Sequence, residues 1–185
     1  MGELTESSRA GRVIWITGLS GAGKSTLASA LAKRLREHDS ATLLLDGDEM
    51  REIFHLKSAD TAGYDRGKRI ELGLKYGRLC NIFAIQGFTV VIATISLFRE
   101  VHKWNRAHLP GYFEVYLKVP MKELRRRDSK GIYQRYDSGD LKNVAGLDLA
   151  IDEPESSNWV SEFSPEKSAS QVLDELVGQL TIDNK

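Results

Sequence analysis

One stretch constrains this chain more than any other: Gly18-Leu19-Ser20-Gly21-Ala22-Gly23-Lys24-Ser25-Thr26. Its spacing is G-x-x-x-x-G-K-[ST]. A continuous apolar run, Val13-Ile14-Trp15-Ile16-Thr17, precedes it. After Ser25 the apolar residues take a helical period, through Leu27, Ala28, Leu31, Ala32 and Leu35. Strand, glycine loop and helix in that order aim backbone N–H groups and a helix N-terminus at polyphosphate. The run before the loop shows no polar alternation. It reads as a strand buried on both faces, which calls for a parallel sheet covered by helices.

The remaining pattern agrees. Thr42-Leu43-Leu44-Leu45, Thr89-Val90-Val91-Ile92-Ala93 and Phe113-Glu114-Val115-Tyr116-Leu117 read as strands, and Trp159-Val160 as a short last one. A short helix with Met50, Ile53 and Phe54 follows Asp46-Gly47-Asp48, and a long one over 64–86 ends at Gly87. Pro120 starts another, and Ser164-Pro165 starts a final amphipathic helix bearing Leu173, Leu176 and Leu180. Residues 57–63 read as a loop. Residues 125–146 are charged and poor in core pattern, and read as a mobile excursion. Alternating strands and helices predict a three-layer α/β/α fold of the P-loop NTPase type with a mostly parallel sheet.

Length sets one domain, residues 12–182, after a flexible arm at 1–11 that lacks the apolar stretch of a signal peptide. Lysine plus arginine equals aspartate plus glutamate, 26 each, which speaks against nucleic-acid binding by bulk charge but leaves room for a local basic pocket. No apolar run approaches the roughly 20 residues of a membrane span. The single cysteine, Cys80, has no disulfide partner. It reads as a buried apolar group, and a cytoplasmic location follows.

The residue types of the loop fit ATP with Mg²⁺. Lys24 reaches the β- and γ-phosphates and Ser25 offers its hydroxyl to the metal. Two function classes then compete: a kinase acting on a small acceptor, and a GTPase or ATP-driven switch acting through a partner. A guanine-reading Asn-Lys-x-Asp segment is missing, since Asn184-Lys185 ends the chain. The third strand runs into Thr94-Ile95-Ser96 with no acid, whereas the second ends at Asp46 and Asp48. An acid at the carboxyl end of the strand beside the loop lies near the γ-phosphate, which favours a compact kinase.

GLSGAGKST, then DGDEMR, then ATIS with FR, then RDSKGIY resembles the adenylylsulfate kinase family, in order and spacing over about 11–154. Those enzymes move the γ-phosphate of ATP to the ribose 3′-hydroxyl of adenosine 5′-phosphosulfate. The resemblance assigns Asp48 to the acceptor hydroxyl and to Mg²⁺; Asp48 also suits the N-terminus of the Glu49–Phe54 turn. It gives Arg51 and Arg66 to the acceptor's anionic end, the alternative being solvated surface arginines. With Asp46, Arg69, Ile95, Ser96 and Lys142 they make the acceptor side. Ser96 falls where some members carry a phosphorylated serine, but Leu97 replaces the proline usual next to it. Arg127 and Lys130 fall in the family's lid over ATP, here about 125–146. Relatives imply a homodimer.

The resemblance breaks at the base clamp. Thr61 and Val144 stand where the family places two phenylalanines, Lys68-Arg69 replaces Glu-Asn, and Glu71-Leu72 replaces a pair of arginines. Two lost stacking faces would cost about 1–3 kcal/mol each. The expected acceptor is therefore a different small nucleotide, such as a cytidine diphosphoramidate, the substrate of the branch that GYDRGKR and ATISLFREVHKWNR resemble. Tyr64 or Phe98 are candidate replacement faces, and Trp104 a core residue or a subunit contact.

Overall fold

The computed structural model describes residues 11–38, 41–54 and 65–182. The loop expected at 57–63, with Thr61 and Tyr64, and residues 1–10 of the N-terminal arm lie outside the described residues. The elements run β1 (Arg12–Thr17), α1 (Lys24–Glu37), β2 (Thr42–Asp46), α2 (Gly47–Ile53), α3 (Arg66–Ala84), β3 (Thr89–Ala93), α4 (Arg99–His108), β4 (Phe113–Lys118), α5 (Met121–Arg127), α6 (Ile132–Asp137), β5 (Trp159–Glu162) and α7 (Ala169–Ile182).

The strands form one parallel sheet in the order β2-β3-β1-β4-β5. β1 is central, and its alternating side chains feed two cores. Ile14 and Ile16 face Leu27, Leu31 and Leu176 of α1 and α7. Val13 and Trp15 face Leu72, Tyr76, Cys80 and Val101 of α3 and α4. Burial on both faces is why the run lacks polar alternation. From β1 the chain moves outward to β2, returns to β3, then crosses to β4. The loop after β1 therefore opens at the point where the winding reverses, where α/β sheets bind ligands.

Capping chemistry sets the helix ends. Asp65 accepts from Lys68 N at 3.0 Å and starts α3. The last helix begins at Ala169, beyond the expected Ser164-Pro165. Ser168 and Gln171 form a reciprocal box there, Ser168 N reaching Gln171 Oε1 at 2.8 Å and Gln171 N reaching Ser168 Oγ at 3.3 Å. α4 buries only Val101, His102 and Asn105, and the carboxylate capping its Arg99 N at 2.9 Å comes from distant Asp152. Arg106 fastens it to the buried Glu114 of β4 at 3.1 Å, with Tyr112 donating to the same carboxylate at 2.8 Å. Trp104 lies on α4, stacked on His108 and against Gly77.

Cys80 is fully buried, and burial pushes its thiol up to about 12. A thiol reagent at pH 8 is expected to label the folded protein only as fast as it unfolds, and the denatured chain at once. Labelling of the native protein within seconds would contradict this packing.

Candidate active site at the glycine loop

The loop between β1 and α1 depends on its glycines at two points. Gly18 has φ 151°, and a Cβ there would stand 2.8 Å from Leu117 O of β4. Gly23, at φ 97°, supplies the left-handed residue that lets α1 begin. Lys24, the first residue of α1, folds back so that Nζ donates to Leu19 O at 2.8 Å. Burial first, then the nearby Lys130 and Arg51, push its ammonium down to about 7 against the opposing pull of Asp46. Ser25 Oγ donates to Asp46 Oδ2 at 2.5 Å.

Asp46 closes β2 and caps α2, its Oδ1 accepting from Asp48 N at 2.8 Å. Asp48 therefore sits in the first turn of α2 and is not its cap. Its carboxylate is paired with Arg51, one turn on, and with Lys130 from the α5–α6 connection. Lys24, Ser25, Asp46, Asp48, Arg51 and Lys130 thus form one charged cluster at the carboxyl ends of β1 and β2.

The segment 121–149 leans on the loop. Tyr133 Oη donates to Ser20 O at 2.9 Å and Arg127 to Gly21 O at 3.3 Å. Contrary to its weak sequence pattern, it buries Leu124, Tyr133, Leu141 and Val144 in the α1-side core. Beside the loop lies a cavity of about 540 Å³, walled by Gly23, Thr26, Leu117, Val119, Phe163 and Leu173 among others. Arg127 closes one edge, its guanidinium 5.0 Å from the ring centre of Phe163.

A second wall is built from the start of α3, the segment after β3 and the strap 142–152. Arg66 pairs with Asp152 at 2.8 Å and Glu100 at 3.1 Å, over the Phe98 ring at 5.0 Å. Phe98 itself is buried. Arg69 donates to Asn143 O at 2.8 Å, one residue from the buried Val144. Ile95 O accepts from Thr17 Oγ1 at 2.8 Å. Ser96 is buried, its hydroxyl 3.0 Å from that of Thr94 and its carbonyl 2.9 Å from the His102 ring. Lys142 is exposed on the strap. Hydrogen bonds and ion pairs join the first cluster to the loop, while Arg66 and Arg69 hold the strap against the start of α3.

The family model for adenylylsulphate kinase matches residues 10–162, most of the chain. The chain belongs to the adenylylsulphate kinase family. A cytidine diphosphoramidate kinase of Campylobacter jejuni is 39% identical over 78% of this chain and 82% of its own length. An adenylyl-sulfate kinase of Gloeothece citriformis is 34% identical over 90% and 88%. Among solved structures, the Mycobacterium tuberculosis APS kinase in complex with AMPPNP and APS superposes with a TM-score of 0.83 at 27% identity, covering 93% of this chain and 98% of its own.

The protein is therefore an ATP-dependent kinase with a P-loop α/β/α fold and binds a nucleotide. No helix among the described residues is long and apolar enough to cross a membrane. In this adenylylsulphate kinase fold the cavity beside the loop also brings in Phe163, which belongs to no sequence motif. Its position after β5 was the available signal, because β5 pairs in parallel with β4 and returns the chain toward the loop. Replacing Phe163 with alanine removes the ring face under Arg127. We expect KM for ATP to rise about tenfold, with the acceptor KM unchanged, in steady-state ADP-release kinetics.

Proposed function

We propose that this kinase transfers the γ-phosphate of ATP to the ribose 3′-hydroxyl of a small nucleotide other than adenylylsulfate, with cytidine diphosphoramidate the best candidate. One observation carries the acceptor assignment. Val144, at a position where an adenine-clamping aromatic is expected, turns into the hydrophobic core beside Leu141 and offers no ring to a base. Arg69, one turn into α3, is bound to the backbone of the same strap. Both features suit a base pocket without an aromatic clamp.

In this reading the glycine loop and Lys24 hold the triphosphate, and the 540 Å³ cavity takes the base of ATP. Arg127 and Lys130 belong to a lid over the donor, which excludes water while the phosphoryl group moves. Asp48 receives the proton of the acceptor hydroxyl, and Arg51 and Arg66 hold the acceptor's anionic end. Ile95, Ser96, Arg69 and Lys142 complete the acceptor wall. The Ser25 hydroxyl and Asp46 carboxylate, 2.5 Å apart, are hard oxygen donors that fit Mg²⁺ shared with phosphates, and Asp48 stands next to them. Bound there, the ion would neutralise charge on the phosphate oxygens. A cytoplasmic homodimer completes the proposal.

Adenylyl-sulfate kinases also stand among the similar proteins, so sequence identity does not choose the acceptor. The test is a coupled ADP-release assay with cytidine diphosphoramidate and adenylylsulfate side by side. The proposal expects the cytidine compound to win by kcat/KM. Efficient turnover of micromolar adenylylsulfate would make this a true adenylylsulfate kinase. Failure of both, with an ATPase stimulated by a protein partner, would point to a switch.

A further inference from the structure

Arg66 opens α3 and is faced by more negative charge than it carries. Its Nη2 lies 2.8 Å from Asp152 Oδ2 and 3.1 Å from Glu100 Oε2. Asp152 is pinned from two further sides: Oδ2 accepts from Arg99 N at 2.9 Å, and its own N donates to Leu97 O at 2.9 Å. The Arg99 guanidinium pairs with Glu155 at 3.1 Å and its charge also bears on Asp152, so two cations, Arg66 and Arg99, stand against three carboxylates, Glu100, Asp152 and Glu155. Glu100 is the outer member, with 51% of its side chain exposed to solvent on the rim of the second wall.

The charge balance has a chemical consequence. A sulfate terminus offers only oxygen acceptors. Placed against Arg66 it must displace a carboxylate or lie against one, and either lowers affinity. A phosphoramidate terminus offers an anionic oxygen and, on the same phosphorus, N–H donors. The oxygen can accept from Arg66 while an N–H donates to Glu100, so no ion pair is broken.

We propose that Glu100, held beside Arg66, is a specificity-determining residue that selects an acceptor ending in an N–H donor over one ending in oxygen alone. The inference rests on reading the first turn of α3 as part of the acceptor wall. It concerns the terminal group, and is independent of which base the acceptor carries.

The test therefore crosses base with terminus: adenylylsulfate, its cytosine counterpart, and the adenosine and cytidine diphosphoramidates. Each is assayed by kcat/KM with the wild-type kinase and with Glu100→Gln. We expect the amidate to exceed the sulfate by about tenfold or more with either base. Glu100→Gln should bring that ratio toward one, because the amide loses the charge and can donate to an oxygen terminus. KM for ATP should not move in the variant, which separates a lost contact from a damaged fold. An amidate preference untouched by Glu100→Gln, or a wild-type preference for sulfate, overturns the assignment, as does absence of turnover with all four. The outcomes separate the two claims. Cytosine preferred without regard to terminus removes only the role of Glu100. Amidate preferred on adenine over cytosine removes only the base proposed above. Adenylylsulfate as the best of the four removes both.

Discussion

Lys24→Met is expected to lower phosphotransfer by about 10³-fold or more and at the same time to stabilise the ligand-free protein at pH 6. The first effect follows from the position of the amine at the mouth of the glycine loop, where it would meet the charge that builds on the transferring group. The second follows from linkage. The folded-state value of about 7 lies below the ordinary 10.5, because burial and then Lys130 and Arg51 disfavour the charge. At pH 6 folded and unfolded chains both hold the proton, so the folded state bears the full cost of charging a partly desolvated amine beside Lys130 and Arg51. Between about 7 and 10.5 unfolding takes up a proton, and wild-type stability rises with pH. The gain from methionine should thus be greatest at pH 6 and fade toward pH 10. Denaturant melts of both proteins at pH 6 and 9, beside ADP-release rates, measure the two effects. A variant less stable than wild type at pH 6, or one that keeps its activity, would contradict this placement of Lys24.

The second large effect concerns the two aspartates at the end of β2. Asp48→Asn is expected to lower kcat by about 10³-fold, the usual range for a lost general base. ATP binding should survive or tighten, since Lys130 and Arg51 are released from the carboxylate that pairs them. Asp46→Ala should behave differently. It removes the acceptor for Ser25 Oγ and for Asp48 N, so it should cost about 1 kcal/mol of stability through the lost cap and weaken Mg²⁺-dependent nucleotide binding. Equilibrium nucleotide binding with and without Mg²⁺, set against single-turnover rates, distinguishes them. Equal losses of binding in both variants would mean that the two carboxylates share one role.

The glycine loop was legible because its parts are local. Gly18 to Thr26 encode their conformation in adjacent residues, and the strand before and helix after are fixed by patterns a few residues long. The core positions Val13 to Ile16, Leu27 and Leu31 follow from the same patterns. The second wall was harder. Arg66 and Arg69 were marked as candidates, but their partners Glu100, Asp152 and Asn143 lie 34 to 86 residues away and carry no motif. Helix α4 is only faintly legible for a similar reason. Its sequence is mostly polar, and beside the packing of Val101 on α3 it is held by a remote cap and by an ion pair to a glutamate inside a strand that otherwise reads as apolar.

By itself the sequence determined the phosphate loop, the parallel sheet with two helical layers, and the identity of the acids and arginines available to the site. Period and glycine placement are short-range properties, and burial on both faces of β1 leaves a mark in composition. Tertiary structure alone decided how charge is distributed among those residues. It joined Ser25 to Asp46, gave Asp48 two cations, and turned Val144 into the core. It also set two carboxylates against Arg66. Such pairings depend on which chain segments meet at the carboxyl ends of the strands, and Coulomb energy falls with distance in space whatever the separation in sequence.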